Sequence, residues 1–202
     1  MIHVIRKSTQ DRPTPRKKEV THDRIVEVAS RAIRRGGYDG TSVADIMKEA
    51  GLTHGGFYAH FSSREAMLAE AADRAGAESV AAAASIAAAV PPEQALYAML
   101  SAYLSKEHVL GTEKGCAMAA LGSEMPRQAP EVRRAATRRI KEMIDLVARQ
   151  SPDWGKPGAH ERALVTVSAM VGTLVLARAV DDPQLSDALL DAALKQFAPT
   201  SD

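Results

Sequence analysis

The stretch GLTHGGFYAHFSSR, residues 51–64, gathers side chains that can donate to oxygen: Thr53, His54, Tyr58, His60 and Arg64. Hydroxyl, imidazole and guanidinium donors are the groups that hold phosphate oxygens and read base edges. The same set is poor material for catalysis. His54 and His60 are i and i+6 and do not share a helix face, so no metal pair is expected. The HGG run at 54–56 lacks any G-x-S-x-G elbow to complete an acyl-transfer site. GKP at 155–157 lacks the preceding glycine and the Ser/Thr of a phosphate loop. No carboxylate pair stands out, so neither an enzyme nor a cofactor is expected. Gly55 and Gly56 each cost a helix about 1 kcal/mol relative to alanine, a cost that makes sense where the backbone must approach another surface closely.

Cys116 is the second candidate. It is the single cysteine, so no intramolecular disulfide can form and a cytoplasmic setting is expected. EKGCAMAA places it beside Lys114 at or near a predicted helix start, where amides and an ammonium favour the reactive thiolate. Two readings stay open: an inert buried thiol, and a sensor of oxidants or electrophiles.

The elements that must position these residues are helices. Hydrophobic content is 46% and aromatic content only 4% in 202 residues, which favours helices over sheets. Net charge is +1, but residues 1–68 hold 12 Lys/Arg against 8 Asp/Glu, and residues 69–202 hold 14 against 17. A basic N-terminal third hints at nucleic acid. Residues 1–20 read as a disordered basic arm, with Lys17 and Lys18 free to touch phosphate. A helix follows from a Thr21 cap to Gly36-Gly37, with Ile25, Val28, Ala29, Ala32 and Ile33 on one face. A second runs over 41–51, capped by Thr41 or Ser42, and a third starts at Thr53. A fourth, 62–90, opens on Ser62-x-x-Glu65, a capping box. Further helices are predicted at 93–108, 115–125, 130–149, 159–180 and 183–197. The 133–149 stretch reads as amphipathic with a solvated basic face. The whole is all-α, about nine helices, with a boundary near residue 70. The apolar run 164–177 is too short and too polar for a membrane span and reads as a buried helix.

Three short helices, the last two joined by a glycine turn, make a helix-turn-helix. Its second helix would face phosphate with the capped Thr41–Ser42 end. Its third would enter the major groove N-terminus first, Gly55 and Gly56 letting it come close. Phe57 and Phe61 belong behind it in the core. Thr53 and His54 are left for base edges or phosphates. Tyr58, His60 and Arg64 are placed for phosphate.

TSVADIMKEAGLTHGGFYAHFSSREAML, residues 41–68, resembles the DNA-binding domain of the tetracycline-repressor (TetR) family of bacterial transcriptional regulators. The carrying residues are Thr41 to Ile46, Ala50 to Thr53, Phe57 to Phe61, and Arg64 to Leu68. His54 departs from the lysine many members carry there. The resemblance implies a DNA-binding domain at 21–70 and an effector-binding and dimerisation domain at 71–202. It implies a homodimer that binds double-stranded operator DNA and releases it when a small molecule or thiol-reactive compound binds. Met99, Tyr103, Cys116, Met118, Met143 and Met170 are the candidates for lining an effector cavity; otherwise they are plain core. Leu164, Val167, Val171, Leu174 and Val175 lie on a helix apolar nearly all round, which a two-fold helical interface would bury. The alternative is a helical ligand-binding or redox-sensing protein that does not bind DNA.

Overall fold

The computed structural model describes residues 17–198, and every regular element among them is helical. Helix α1 (Lys17–Gly36) begins before the expected Thr21 cap. Thr21 Oγ1 instead donates to the Lys17 carbonyl at 2.9 Å, inside the helix. Lys17 and Lys18 are therefore the exposed first turn of α1 and not part of an arm. Residues 1–16, the rest of the expected arm, lie outside the described residues. Ile25, Val28, Ala29, Ala32 and Ile33 are buried as their spacing predicts. The chain reverses at Gly37, whose φ of +76° suits glycine. A side chain there would also collide with the Glu124 carboxylate.

Helix α2 (Val43–Glu49) is capped by Ser42, whose Oγ accepts from the Asp45 amide at 3.1 Å. Thr41 does not cap it, because its side chain is buried and donates to the Gly37 carbonyl at 2.8 Å. A 3-10 helix, His54–Ala59, stands where the third helix was expected, and Thr53 makes no side-chain cap bond to it. Helix α3 (Arg64–Ala88) is capped by Ser63, which accepts from the Ala66 amide at 3.0 Å, so the box from Ser62 does not form.

The expected 93–108 helix is two, α4 (Pro92–Tyr103) and α5 (Lys106–Leu110). Ser105 accepts from the His108 amide at 3.1 Å and starts a new helix there. Helix α6 (Ala117–Leu121) is shorter than predicted, with 3-10 turns at Thr112–Lys114 and Met125–Arg127. Helices α7 (Pro130–Gln150), α8 (Ala159–Ala179) and α9 (Pro183–Gln196) complete the chain. The basic face of α7 is not wholly solvated. Arg139 donates twice to Asp73 on α3, at 2.9 and 2.6 Å, and Arg138 joins at the same carboxylate.

Two cores result. One joins α1, α2, Phe57, Phe61 and the start of α3, with Leu121 and Val132 added from α6 and α7. The other joins the far half of α3 to α4, α7, α8 and α9. Helix α8 is not buried on all sides. Val167, Met170 and Leu174 turn into the protomer, while Val165 and Leu176 are 67% and 54% exposed. Leu174 and Val167 are thus core residues and not the interface expected of them. By length and hydropathy α8 could cross a bilayer, against the expectation of too short and too polar; its inward face nonetheless builds the second core.

Candidate functional site

The 3-10 helix has two sides. Inside, Phe57 and Phe61 are buried and their rings stack with centroids 5.5 Å apart. Outside, Thr53, His54, Gly55 and Tyr58 are exposed, Tyr58 by 73%. The Thr53 hydroxyl spends nothing on a cap, so it is free for another partner. A Cβ at Gly55 would meet no atom within 4 Å, and one at Gly56 only ordinary contacts with Met47 and Thr53. Neither glycine has a positive φ. Nothing in the protein's own packing explains Gly55.

Two expected phosphate contacts are turned inward. The Arg64 guanidinium donates to the Tyr38 carbonyl and, at 3.2 Å, to the Thr41 carbonyl. It is a strut from the first turn of α3 to the loop between α1 and α2, and Thr41 is buried beneath it. Ser42 is exposed, but its hydroxyl is committed to Asp45. His60 is half-buried, with Nδ1 shut off and unpaired among protein atoms. Burial first, then His22 and Lys18, hold its pKa below the ordinary histidine value.

The second feature is internal. Two adjoining cavities, of about 370 and about 190 Å³, share Tyr103, Cys116, Met143 and Met170 in their walls. Met118 lines the larger and Met99 the smaller. The larger also takes in Tyr38, Arg139, Val167 and Val171, none of which sequence reasoning assigned to it. Val167 and Val171 carried an apolar signal that read equally well as an interface. Tyr38 carried none, because it lies in the loop between α1 and α2, far in sequence from the rest of the lining. Among the described residues, no group of three or more His, Cys, Asp or Glu is placed to hold a metal.

The segment 112–125 supplies part of the cavity wall, and the end of α1 grips it. Arg34, buried, donates to the Gly115 carbonyl at 3.4 Å and to Glu78 at 2.6 Å. Arg35 pairs with Glu113 at 3.1 Å, and the Tyr38 amide donates to Glu124 at 2.8 Å. Cys116 sits in this segment, buried, its amide donating to His108 Nε2 at 2.9 Å. The helix it precedes has only five residues, and Lys114 is exposed.

His108 accepts from that amide and must then carry its proton on Nδ1, 2.7 Å from the Tyr103 carbonyl. The ring is neutral. Burial lowers its pKa most and Arg178 lowers it further, while the Tyr103 hydrogen bond pulls the other way. The unfolded histidine takes up a proton near pH 6.5, so below that value the unfolded state binds more protons than the folded one. Stability from this group is full above the unfolded pKa and is lost as pH falls through the folded one. Melting temperature should therefore drop between about pH 7.5 and pH 5.5, and less in His108→Gln than in the wild type. Equal drops in both proteins would count against this network.

With this geometry in hand, residues 25–71 match the profile of the family described as bacterial regulatory proteins, tetR family. The N-terminal domain is a TetR-family domain. Two HTH-type transcriptional regulators of Bacillus subtilis are similar over short stretches, YerO at 35% identity over 51 residues and YvdT at 35% over 54. These matches span 25% and 27% of the chain, and only 18% and 28% of the two relatives. Solved structures extend the TetR-type likeness to the whole fold. A TetR-family regulator from Cytophaga hutchinsonii superposes with a TM-score of 0.79 at 18% identity, covering 94% of this chain and 100% of that one. A second, from Chloroflexus aurantiacus, gives 0.74 at 24%, covering 91% and 96%. Reduced NemR of E. coli gives 0.74 at 19%, covering 88% and 94%.

Proposed function

We propose that this chain is a ligand-responsive regulator that binds a near-palindromic DNA site as a homodimer and releases it when the cavity fills. The observation that carries the reading is the exposed face at 53–58, with a glycine that nothing inside the protein requires. A glycine kept at a cost on an exposed turn fits close approach to a groove. Thr53 and His54 would then touch base edges, while Tyr58 and the first turn of α1 with Lys17 and Lys18 would meet phosphate. Gly56 lies behind them, and His60 adds an imidazole at the edge of the face.

Release would follow linkage. A ligand lowers DNA affinity only by its differential affinity for the two conformations of the protein. The grip of α1 on 112–125 supplies a contact between the cavity wall and the N-terminal helices that two such conformations can share out differently. Cys116 would give the same cavity a second signal, a compound that bonds to its sulfur. The partner protomer would cover the outward face of α8, Leu164, Val165, Val175 and Leu176, with Leu185 of α9 beside it; all five are exposed.

The test is a gel-shift titration on promoter-proximal DNA from the host, repeated across salt. Sequence-selective binding that weakens steeply as salt rises supports the reading. Equal affinity for every duplex at each salt concentration contradicts it, and favours a helical ligand-binding protein.

A further inference from the structure

The larger cavity has a definite hydrogen-bonding character. Arg139 is its one charged lining residue, and its charge is already met by two carboxylates, with Nε and Nη2 donating to Asp73 and Nη1 to Glu142. The lining serines give their protons away within their own helices, Ser79 to the Ala75 carbonyl at 2.9 Å and Ser168 to the Leu164 carbonyl at 2.8 Å. Two phenols remain. The hydroxyls of Tyr38 and Tyr103 are shut off from solvent and have no partner among protein atoms. Tyr38 is wholly buried. Burial above all, with Glu124 nearby, keeps its phenol protonated and hence a donor. The Cys116 side chain lies beside the Tyr103 phenol without a hydrogen bond of acceptable geometry.

We propose that the larger cavity takes an uncharged, mainly apolar small molecule bearing a hydrogen-bond acceptor such as a ketone, and that Tyr38 is the group that contacts it from the DNA-binding domain. The walls offer no free charge to neutralise a carboxylate or an ammonium, and burying either unpaired is costly. Two unspent donors on an apolar wall select an acceptor, since a phenol left unpaired in such a site costs free energy that a carbonyl oxygen recovers. A volume of about 370 Å³ suits a molecule of two fused or linked rings.

Tyr38 is also the one lining residue drawn from residues 21–70. Its amide is held by Glu124 and its carbonyl by Arg64, the first residue of α3. A ligand bonded to its hydroxyl therefore pulls on the loop that separates α1 from α2. This inference rests on the reading of the chain as a ligand-responsive DNA-binding protein, because only then does a pull on that loop have an output.

The experiment compares benzophenone with diphenylmethane, which has the same two rings but no carbonyl, and acetophenone with ethylbenzene as a smaller pair. Calorimetric affinities are measured for the wild type, Tyr38→Phe and Tyr103→Phe. Taking the ketone-to-hydrocarbon ratio in each protein cancels the solvation difference between the probes. The wild type should bind a ketone, and Tyr38→Phe should cut its ketone preference about fivefold, the worth of one neutral hydrogen bond. Tyr38→Phe should melt no lower than the wild type, because it removes only an unpaired buried hydroxyl. An unchanged ratio in Tyr38→Phe would overturn the proposal. So would binding of neither ketone, or binding of 4-benzoylbenzoate as tight as benzophenone. In a parallel gel shift, saturating benzophenone should weaken DNA binding by the wild type more than by Tyr38→Phe. Ligand-free DNA binding is scored separately in that gel shift. Its absence defeats the regulator reading, while the calorimetric ratios still decide the chemistry of the cavity.

Discussion

Replacing Gly55 with leucine should abolish sequence-specific DNA binding while leaving the fold intact. The two halves of that outcome come from separate observations. A side chain at this position meets no protein atom within 4 Å, and its φ is not positive, so the substitution strains nothing. Leucine is also the better helix former by roughly 0.8–1 kcal/mol. Yet the side chain would project from the exposed turn between Thr53 and Tyr58, where the groove must come close. Holding the turn away loses several base contacts at once, each worth about 1–3 kcal/mol. Affinity should fall to the non-specific level, on the order of a thousandfold or more, with an unchanged or higher melting temperature. Binding by Gly55→Leu within a few-fold of wild type would mean the turn does not enter a groove.

The second large effect concerns assembly. Val165→Glu or Leu176→Glu should convert the proposed dimer to monomers. Both side chains lie on the outward face of α8, 67% and 54% exposed in the protomer, so a glutamate there costs the isolated chain little. In a two-fold interface each substitution appears twice, and every buried carboxylate carries a penalty of several kcal/mol. The monomers should then lose the gain from engaging two half-sites together, roughly 10²–10⁴ in apparent affinity. Sedimentation at micromolar concentration reads the first effect and DNA titration the second. Leu174→Glu is a poor substitute, since Leu174 is buried inside the protomer and its loss would damage the fold. A wild type that sediments as a monomer would end this part of the account.

The contrast between Leu174 and Val165 also shows where sequence reasoning loses resolution. Apolar spacing found the buried face of α1, because one stripe met one core. Helix α8 carries apolar residues nearly all round, and nothing in the pattern says which stripe meets the protomer's own core. The structure divides it, with Val167, Met170 and Leu174 inward and Val165 and Leu176 outward. Phe57 and Phe61 were legible as core groups because they are large, apolar and four apart, which left the polar Thr53, His54 and Tyr58 for the surface. Arg64 was misread for a different reason. Its partners are the carbonyls of Tyr38 and Thr41, and a backbone acceptor leaves no signature in side-chain types. Tyr38 escaped notice because the cavity is assembled from a loop of one domain and helices of the other.

The central claim is that the face at 53–58 reads DNA sequence, and selection from a pool of random duplexes tests it most directly. The wild-type protein should enrich an inverted repeat whose half-sites are spaced for two recognition turns on one side of the duplex. Survival of the pool without enrichment, under salt that suppresses non-specific binding, would contradict the claim.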